Sequence, residues 1–504
     1  MLLHWVAGAG ARARFESRHA HADTCNFHGG SHRNQYASNF NAKPHALDPY
    51  RNGHKHSNCH RNADCHADGN GLANILPACH EHAKPHVHTI AYAHHYAVSH
   101  FHLHVHTNHH LHGNIVIYAA TNKYVGSAAE YINAFVNSVP ISMTDILPFL
   151  KSMISVSGVS GNETPVAKLI EAKWRSLVDE TRLSRVGSLH GLKRGSGTGA
   201  ARSKSKGKRP SILIAAHMDA IGMRVSQLVD GFLRITNVGG IDVRVLPGAE
   251  VTVHASSGVD LPAVIAMPSS KLLPESAGDG ALEIGYLLAD TGLTAREVGK
   301  KVKVGDLISF ANEPMELAGD IISGHTIDNR ASVAALTVCL EELQSKPHVW
   351  DVWAVATVQE ETSYLGGYTS AFEIRPDIAI AVDGTYAKGP GANGWQTHAM
   401  GKGVGLCMGP NMHPFLHTKL QELAERLEIP WFLDVTTAHS STDADPMQVT
   451  AEGIPTALVE FPIRYMHTPV ESVAVKDIQR AGRLLAEFIA SLEENFVETI
   501  NWDE

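Results

Sequence analysis

The chain has 504 residues, of which 44% are hydrophobic and 18% charged, and its formal net charge is −9. This composition is typical of a folded protein of several domains and excludes a chain that is disordered throughout. The negative charge argues against nucleic-acid binding, which needs a basic surface. No apolar run reaches the roughly 18 residues of a membrane helix. The opening MLLHWVAGAG lacks a basic n-region, so we expect neither a secretory signal nor a membrane partner.

The N-terminal part of the chain is rich in histidine. Residues 1–142 contain 23 of the 33 histidines and four of the six cysteines. They show no sustained helical or strand periodicity, although an alternation around His104 indicates one short strand, and no regular metal-ligand spacing. We predict that 1–142 is a disordered low-complexity extension or is not part of the native protein, with a metal-buffering tail as the alternative. A protein that begins at Met143 is expected to be folded and active.

From residue 143 onward the chain alternates strand-like and helix-like segments. This order favours an α/β fold with a mostly parallel sheet flanked by helices. An amphipathic helix is predicted just after Met143, and 195–210, rich in Gly, Ser and Lys, is predicted to be a surface loop. The other predicted helices cover 165–178, 331–343, 414–427 and 476–494. The predicted strands cover 211–216, 352–358, 378–382 and 457–461.

In the middle of the chain, the alternation of strand-like and helix-like segments is interrupted. Short β-like runs, separated by Gly, Pro and Asp turns, recur at 232–235, 249–254, 263–266 and 306–310. We therefore predict a small β-rich domain over 224–319. It is inserted into a catalytic domain formed by 143–223 plus 320–504.

Side chains able to do chemistry lie where predicted strands end. In parallel sheets the carboxyl ends of the strands share one edge, at which ligands bind, so these side chains are expected to converge. One pair follows strand 211–216, another follows 352–358, and single residues lie after 378–382, before helix 331–343 and near the C-terminus. They are His217, Asp219, Asp328, Glu360, Glu361, Asp383 and His467.

This set of side chains suits a metal-dependent hydrolase. Two imidazoles and three carboxylates can hold two zinc-like ions, with one carboxylate bridging. Asp219 can accept the second ring N–H of His217. Glu360 and Glu361 are expected to point to opposite sides of an extended chain, so that one binds metal and the other is a general base. Taken singly, each residue has a simpler interpretation, such as a helix cap for Asp328 or Asp383.

Six stretches in this order resemble one known family. With them the chain resembles the dinuclear-metal aminopeptidases typified by glutamyl aminopeptidase and deblocking aminopeptidase, also called TET aminopeptidases or cellulase M-like proteins, peptidase family M42. The resemblance spans nearly all of 143–504. The stretches are AAHMDAIG (215–222), SGHTIDNRAS (323–332), TVQEETSYLGG (357–367), AVDGT (381–385), STDADPMQ (441–448) and GIPTALVEFPIRYMHTPVES (453–472).

The resemblance assigns roles to these residues. It implies two divalent ions, zinc or cobalt, and cytoplasmic removal of N-terminal residues from short peptides. It also implies that the inserted β-rich domain serves assembly into a homo-oligomer, commonly a hollow dodecamer. The implied ligands are His217 and Asp383 for one ion, Glu361 and His467 for the other and Asp328 between them, with Glu360 as the base and Asp219 orienting His217.

The sequence also departs from the family and leaves alternatives open. Asn329 replaces a second Asp, and Ser440-Ser441 replaces a frequent Gly-Gly. A glycoside hydrolase is the alternative enzyme, although that chemistry needs two carboxylates facing each other across a glycosidic bond. A metal-binding assembly protein without activity is the non-enzymatic alternative. Only Cys339 and Cys407 follow residue 142, too few for a disulfide framework, which supports an intracellular setting.

Overall fold

The computed structural model describes residues 104–106, 116–118, 145–196, 209–273 and 283–502. The described residues fall into two units, one with 104–106 and 116–118 and one with the residues from 145 onward. In the first, strands β1 (His104–His106) and β2 (Val116–Tyr118) pair antiparallel, so the predicted strand around His104 is present over three residues. The rest of the prediction for 1–142, and most of the predicted loop 195–210, lie outside the described residues.

The second unit is a mixed α/β structure. Its strands are β3 (Glu180–Leu183), β4 (Leu189–Lys193), β5 (Ser211–His217), β6 (Gly222–Val229), β7 (Phe232–Val238), β8 (Glu250–His254), β9 (Asp260–Ala266), β10 (Leu288–Asp290), β11 (Leu307–Phe310), β12 (Met315–Leu317), β13 (Ile321–Gly324), β14 (Asp351–Thr357), β15 (Ile378–Tyr386), β16 (Val404–Met408), β17 (Trp431–Val435), β18 (Thr456–Arg464) and β19 (Glu471–Ala474). Its α-helices are α1 (Leu147–Ile154), α2 (Thr164–Trp174), α3 (Ala295–Lys301), α4 (Ile327–Glu342), α5 (Glu360–Ser363), α6 (Leu365–Ile374), α7 (Pro414–Arg426), α8 (Ala444–Gln448), α9 (Val475–Ser491) and α10 (Phe496–Thr499).

The main sheet has a parallel centre and antiparallel edges. Its strand order is β12-β13-β19-β18-β15-β5-β14-β4-β3, and β16 pairs with both β18 and β17. The four central strands, β18, β15, β5 and β14, run parallel. The predicted α/β class is confirmed, but the parallel arrangement is limited to these strands and the β16–β17 pair. The reason is that β3–β4 and β12–β13 are joined by short turns, which permit only antiparallel pairing.

Helices cover the central strands and bury them. Every residue of β5, SILIAAH, is buried, as expected for a strand with helices on both faces. Helix α4 is buried along most of its length because it packs against β5 on one side and against α1 and α9 on others. Large side chains such as Trp174, Trp350 and Phe488 fill this core, and each contributes about 1.5–3 kcal/mol through burial. None of the helices in the described ranges is long and apolar enough to cross a membrane.

The β-rich insertion is a closed barrel. Strands β6 to β11 follow the order β10-β7-β6-β11-β8-β9, and β9 pairs with β10 to close it. Strand β9 alternates exposed and buried residues, so one face fills the barrel core, in which Met223 and Val253 are fully buried. The barrel begins at Gly222 rather than at 224, since the first strand continues almost directly from the end of β5.

Helix α3 closes one side of this insertion and was missed at the sequence level. Its sequence signal is present, because Thr294 and Glu297 have the spacing of a capping box. The backbone N–H of Glu297 donates to Thr294 Oγ1 at 3.4 Å, and the Thr294 N–H donates to the Glu297 carboxylate at 2.9 Å. The helix is short and only Val298 is buried, so hydrophobic periodicity alone could not identify it.

Candidate metal centre

The carboxyl edge of the parallel strands forms a cavity of about 490 Å³. His217 is the last residue of β5, and Thr357 at the end of β14 lies opposite it in register. Because parallel strands end at the same edge, the residues that follow them meet there. Six of the seven residues singled out from the sequence line the cavity: His217, Asp328, Glu360, Glu361, Asp383 and His467. The seventh, Asp219, is fully buried beside His217.

Asp328 lies between two imidazoles. Its Oδ1 is 3.3 Å from His217 Nε2, and its Oδ2 is 3.5 Å from His467 Nε2. Direct N–H···O hydrogen bonds are normally shorter than this. Two ligand atoms about 2.1 Å from one tetrahedral ion are roughly 3.4 Å apart, which matches both separations. Each oxygen of this carboxylate is therefore placed to share a cation with a different histidine.

The side chains form two groups that share Asp328. Ligand atoms of His217, Asp328 and Asp383 lie within 4.8 Å of one another, and so do those of Asp328, Glu361 and His467. The first group is buried, and the second is partly exposed, with the His467 side chain 36% exposed. The structure thus brings together all five side chains expected to bind metal, in two groups with one carboxylate in common.

The side chains of Glu360 and Glu361 point in different directions, but the extended backbone from which this was predicted is wrong. They do not lie on an extended chain: Gln359 has a left-handed φ of 54°, and both glutamates belong to the short helix α5. Helical neighbours also point in different directions. Glu360 Oε2 lies 3.7 Å from His217 Nε2, whereas Glu361 Oε2 lies 3.4 Å from His467 Nε2. The two carboxylates therefore reach different ends of the site.

Asp219 contacts two parts of the site. One carboxylate oxygen is 3.5 Å from His217 Nδ1, and the Asp219 backbone oxygen is 3.3 Å from the same nitrogen. The carboxylate also accepts the backbone N–H groups of Glu360, at 3.0 Å, and Glu361, at 3.3 Å. This second contact was not foreseen from the sequence. It ties the turn that carries both glutamates to the histidine at the end of β5.

The site contains an excess of buried negative charge. Burial, together with repulsion between neighbouring carboxylates, holds the pKa values of Glu360, Glu361 and Asp383 well above their usual range. Burial by itself would lower the pKa of His217, because it disfavours the charged imidazole. The nearby carboxylates, foremost that of Glu360, outweigh burial and raise the pKa of His217 well above its usual value. Burial also acts to raise the pKa of Asp328, but the two imidazoles outweigh it and lower that pKa. Cations would stabilise such a cluster.

Glu471 is a site residue that sequence reasoning missed. Its side chain is buried, and it accepts the backbone N–H of Asp328 at 2.9 Å and that of His467 at 2.8 Å. One carboxylate therefore holds the loops that carry two of the five candidate ligands. Glu471 lies within the stretch 453–472 quoted above, but nothing in the spacing of that stretch distinguishes it from a surface glutamate.

The loop after β7 packs against the second group of ligands. Gly239 has a φ of 77°, and a Cβ built on it would lie 3.5 Å from Glu361 Oε2. A Cβ on Gly240 would lie 3.0 Å from His467 Nδ1. The Gly-Gly pair thus lets barrel backbone approach the site closely, as glycine does where side chains would clash.

Asn329, which stands where the family usually has a second Asp, makes a hydrogen bond to a neighbouring strand. Its Nδ2 donates to the backbone oxygen of Val382 at 2.9 Å, and the residue is fully buried. An aspartate cannot donate this hydrogen bond when ionised. Asn329 thereby joins the start of α4 to the middle of β15, next to Asp383. The other departure, Ser440-Ser441, lies on the cavity wall, and Ser441 has a left-handed φ of 57°.

Comparison with known proteins finds one family. The model of the M42 glutamyl aminopeptidase family matches residues 197–484. A putative aminopeptidase of Acetivibrio thermocellus is 33% identical over 354 residues, which cover 68% of this chain and 98% of that protein.

Two solved structures show the same fold. The aminopeptidase APDkam598 of the archaeon Desulfurococcus kamchatkensis is 32% identical with a TM-score of 0.64, and the match covers 71% of this chain and 97% of that one. The TET1 peptidase of Pyrococcus horikoshii, which can assemble into a tetrahedron or a large octahedral shell, is 25% identical with a TM-score of 0.58. That match covers 69% of this chain and 100% of the other.

Proposed function

Because the chain belongs to the M42 glutamyl aminopeptidase family and is a metal-dependent aminopeptidase, we propose which of its residues carry that activity. His217 and Asp383 hold one divalent ion, Glu361 and His467 hold the other, and Asp328 bridges them. The observation that carries this proposal is the position of Asp328, whose two oxygens face two different imidazoles at 3.3 and 3.5 Å.

The residues present fit two divalent ions. The donor set consists of imidazole nitrogens and carboxylate oxygens, which suits zinc and cobalt. Three of the carboxylates have raised pKa values in a buried cluster, and such groups gain most from a nearby cation. Asp219 fixes the ring of His217, as carboxylates behind metal-binding histidines do.

The remaining groups account for proton transfer and for substrate entry. Bound divalent ions supply Lewis acidity, which lowers the pKa of water and polarises the first peptide carbonyl. Glu360 takes the proton of the attacking water and returns it to the leaving amine nitrogen. The cavity admits the N-terminal end of a short peptide.

The barrel, β6 to β11, is proposed to serve assembly into a closed homo-oligomer. The proposal follows from the TET1 relative, which forms closed shells. Within the described residues the barrel exposes large apolar side chains, including Phe232, Val259 and Val264, which an interface would cover. A dodecamer in the cytoplasm remains the expectation from the family.

Removal and return of metal tests the proposed function. The full chain, stripped with a chelator, is expected to lose cleavage of aminoacyl p-nitroanilides and to regain it with zinc or cobalt, at two ions per subunit by elemental analysis. N-acetylated versions of the same substrates are the matched control and should not be cleaved. Chelator-resistant cleavage, or binding of a single ion at full activity, would contradict the proposal. Cleavage of cello-oligosaccharides instead would favour the glycosidase alternative.

A further inference from the structure

Beyond the five candidate ligands and Glu360, the cavity contains two further carboxylates. Asp434 on β17 and Glu460 on β18 both line it. Among the cavity-lining residues in the described ranges there is no lysine or arginine. The five candidate ligands and Glu360 are assigned to the metal site, so these two carboxyl groups remain on the adjoining wall.

Glu460 is buried without a matching partner. Its side chain is only 6% exposed, and its Oε2 has no hydrogen-bond partner among the described residues. Burial and repulsion from Asp434 and Asp383 raise the pKa of the Glu460 carboxyl well above its usual range, so its ionised form needs a nearby cation for stabilisation. In a substrate cavity, a cationic group of the substrate can offset the free-energy cost of burying a negative carboxylate.

Asp434 is held toward the same cavity. Thr385 Oγ1 donates to Asp434 Oδ2 at 2.6 Å, and His398 Nε2 lies 3.4 Å from Oδ1. The His398 ring is stacked on Phe432, with centroids 4.1 Å apart. The hydroxyl and the stacked imidazole keep the Asp434 side chain in place, 14% exposed. It therefore forms a preorganised second anion rather than a mobile surface charge.

The sheet register places this pair beside the metal site. Asp383 on β15 lies directly opposite Glu460 on β18, and neighbouring strands are about 4.8 Å apart. On the far side of β18, Glu460 is paired with Gly405 of β16, over which the ring of Phe432 packs closely. Asp434 lies on the next strand, β17, opposite Cys407. Glu460 thus lies next to Asp383 across one strand pair, whereas Asp434 lies two strands further on and two residues further along, on the wall of the same cavity.

We propose that this wall of the cavity binds the basic side chain of the peptide's first residue, so that N-terminal lysine and arginine are the preferred substrates. The inference rests on the proposed function, which holds the scissile bond at the metal site. The flexible stem of a lysine can carry its ammonium to Glu460 and Asp434, and its three N–H donors can serve both carboxylates. A glutamate side chain would be repelled there, in contrast to the preference named by the family.

The test measures selectivity in the full-chain, metal-loaded enzyme. Lysyl p-nitroanilide is compared with its Nε-acetyl-lysyl counterpart, which keeps the stem and the α-amine but lacks the side-chain charge. The kcat/KM for the lysyl substrate, divided by that for the Nε-acetyl-lysyl substrate, is expected to exceed 10 in the wild type. This ratio should fall about 10- to 100-fold in Glu460→Gln and in Asp434→Asn. Glu452→Gln, an exposed glutamate outside the cavity, is the control for loss of one negative charge.

Other outcomes would overturn the inference. If both substrates lose the same factor in Glu460→Gln, this carboxylate serves the α-amine or the metal site rather than the side chain. A wild-type ratio near 1 would also refute it, whether or not the variants fold. An enzyme with added zinc or cobalt that cleaves no aminoacyl substrate would instead contradict the proposed function, so the two failures are distinguishable.

Discussion

Replacement of Glu360 by glutamine is expected to lower kcat by roughly 10²- to 10⁴-fold while both metal ions stay bound. The amide has almost the same shape, but it cannot take a proton from water. A loss of this size equals about 3–5 kcal/mol of transition-state stabilisation. The backbone contacts of residue 360, including its N–H donation to Asp219, do not depend on the side chain, so the turn should persist.

The neighbouring glutamate provides the matched control. Glu361→Gln changes the same functional group one residue away, but Glu361 belongs to the group formed with Asp328 and His467. This variant is expected to lose about one metal ion per subunit, whereas Glu360→Gln should lose none. Metal content by elemental analysis and kcat with aminoacyl p-nitroanilides separate the two. An active Glu360→Gln enzyme, or one that lacks an ion, would refute the role of Glu360.

Asp328→Ala is expected to abolish binding of both ions and to reduce activity below detection. Asp328 is the carboxylate common to both candidate groups, so its removal takes a ligand from each. It also removes the carboxylate that lies between the imidazoles of His217 and His467, so the metal-free variant is expected to be less stable than the metal-free wild type. The wild type should gain about 2.7 kcal/mol of stability for each bound ion at metal concentrations 100-fold above Kd, and the variant should gain none. Thermal unfolding with and without zinc measures this difference.

Asp383→Asn serves as the comparison for Asp328→Ala. Asp383 belongs only to the group with His217, so this variant is expected to keep the ion held by the other group. Loss of both ions in Asp328→Ala, but of one in Asp383→Asn, is the signature of a bridging carboxylate. Two ions retained in Asp328→Ala would show that the groups are independent.

Local pattern was sufficient to predict the α/β core and the β-rich insertion. The apolar run of β5 and the helical segments α4 and α9 were predicted within a few residues of their observed ends. Edge strands were missed, as in β3, where ETRL shows no buried residue and therefore no apolar signal. The strands β16 and β17 were missed as well. Their place in the sheet comes from pairing with distant β18, which no local pattern records.

For the site, residue types and their positions at strand ends were enough to propose the five ligands and the base. The contacts that hold them were not accessible in this way. Glu471 accepts the backbone N–H of Asp328, and Asp219 accepts that of Glu360, and each of these pairs is separated by more than 100 residues along the chain. A glutamate in a motif indicates a candidate, but only the fold shows whether it faces the metal, the backbone or the solvent.

The amino-acid sequence alone determined the class of fold, because hydrophobic period is a local property, and the resemblance of its motifs identified the family. The polar residues at predicted strand ends were enough to propose the chemistry of the candidate site. Tertiary structure alone decided three matters: that Asp328 lies between His217 and His467, that Glu361 and Glu360 face different imidazoles, and that Glu460 and Asp434 share one cavity wall. These depend on strand order and on the register of pairing. Both arise from packing between segments far apart in the chain, where distance along the sequence carries no information about distance in space.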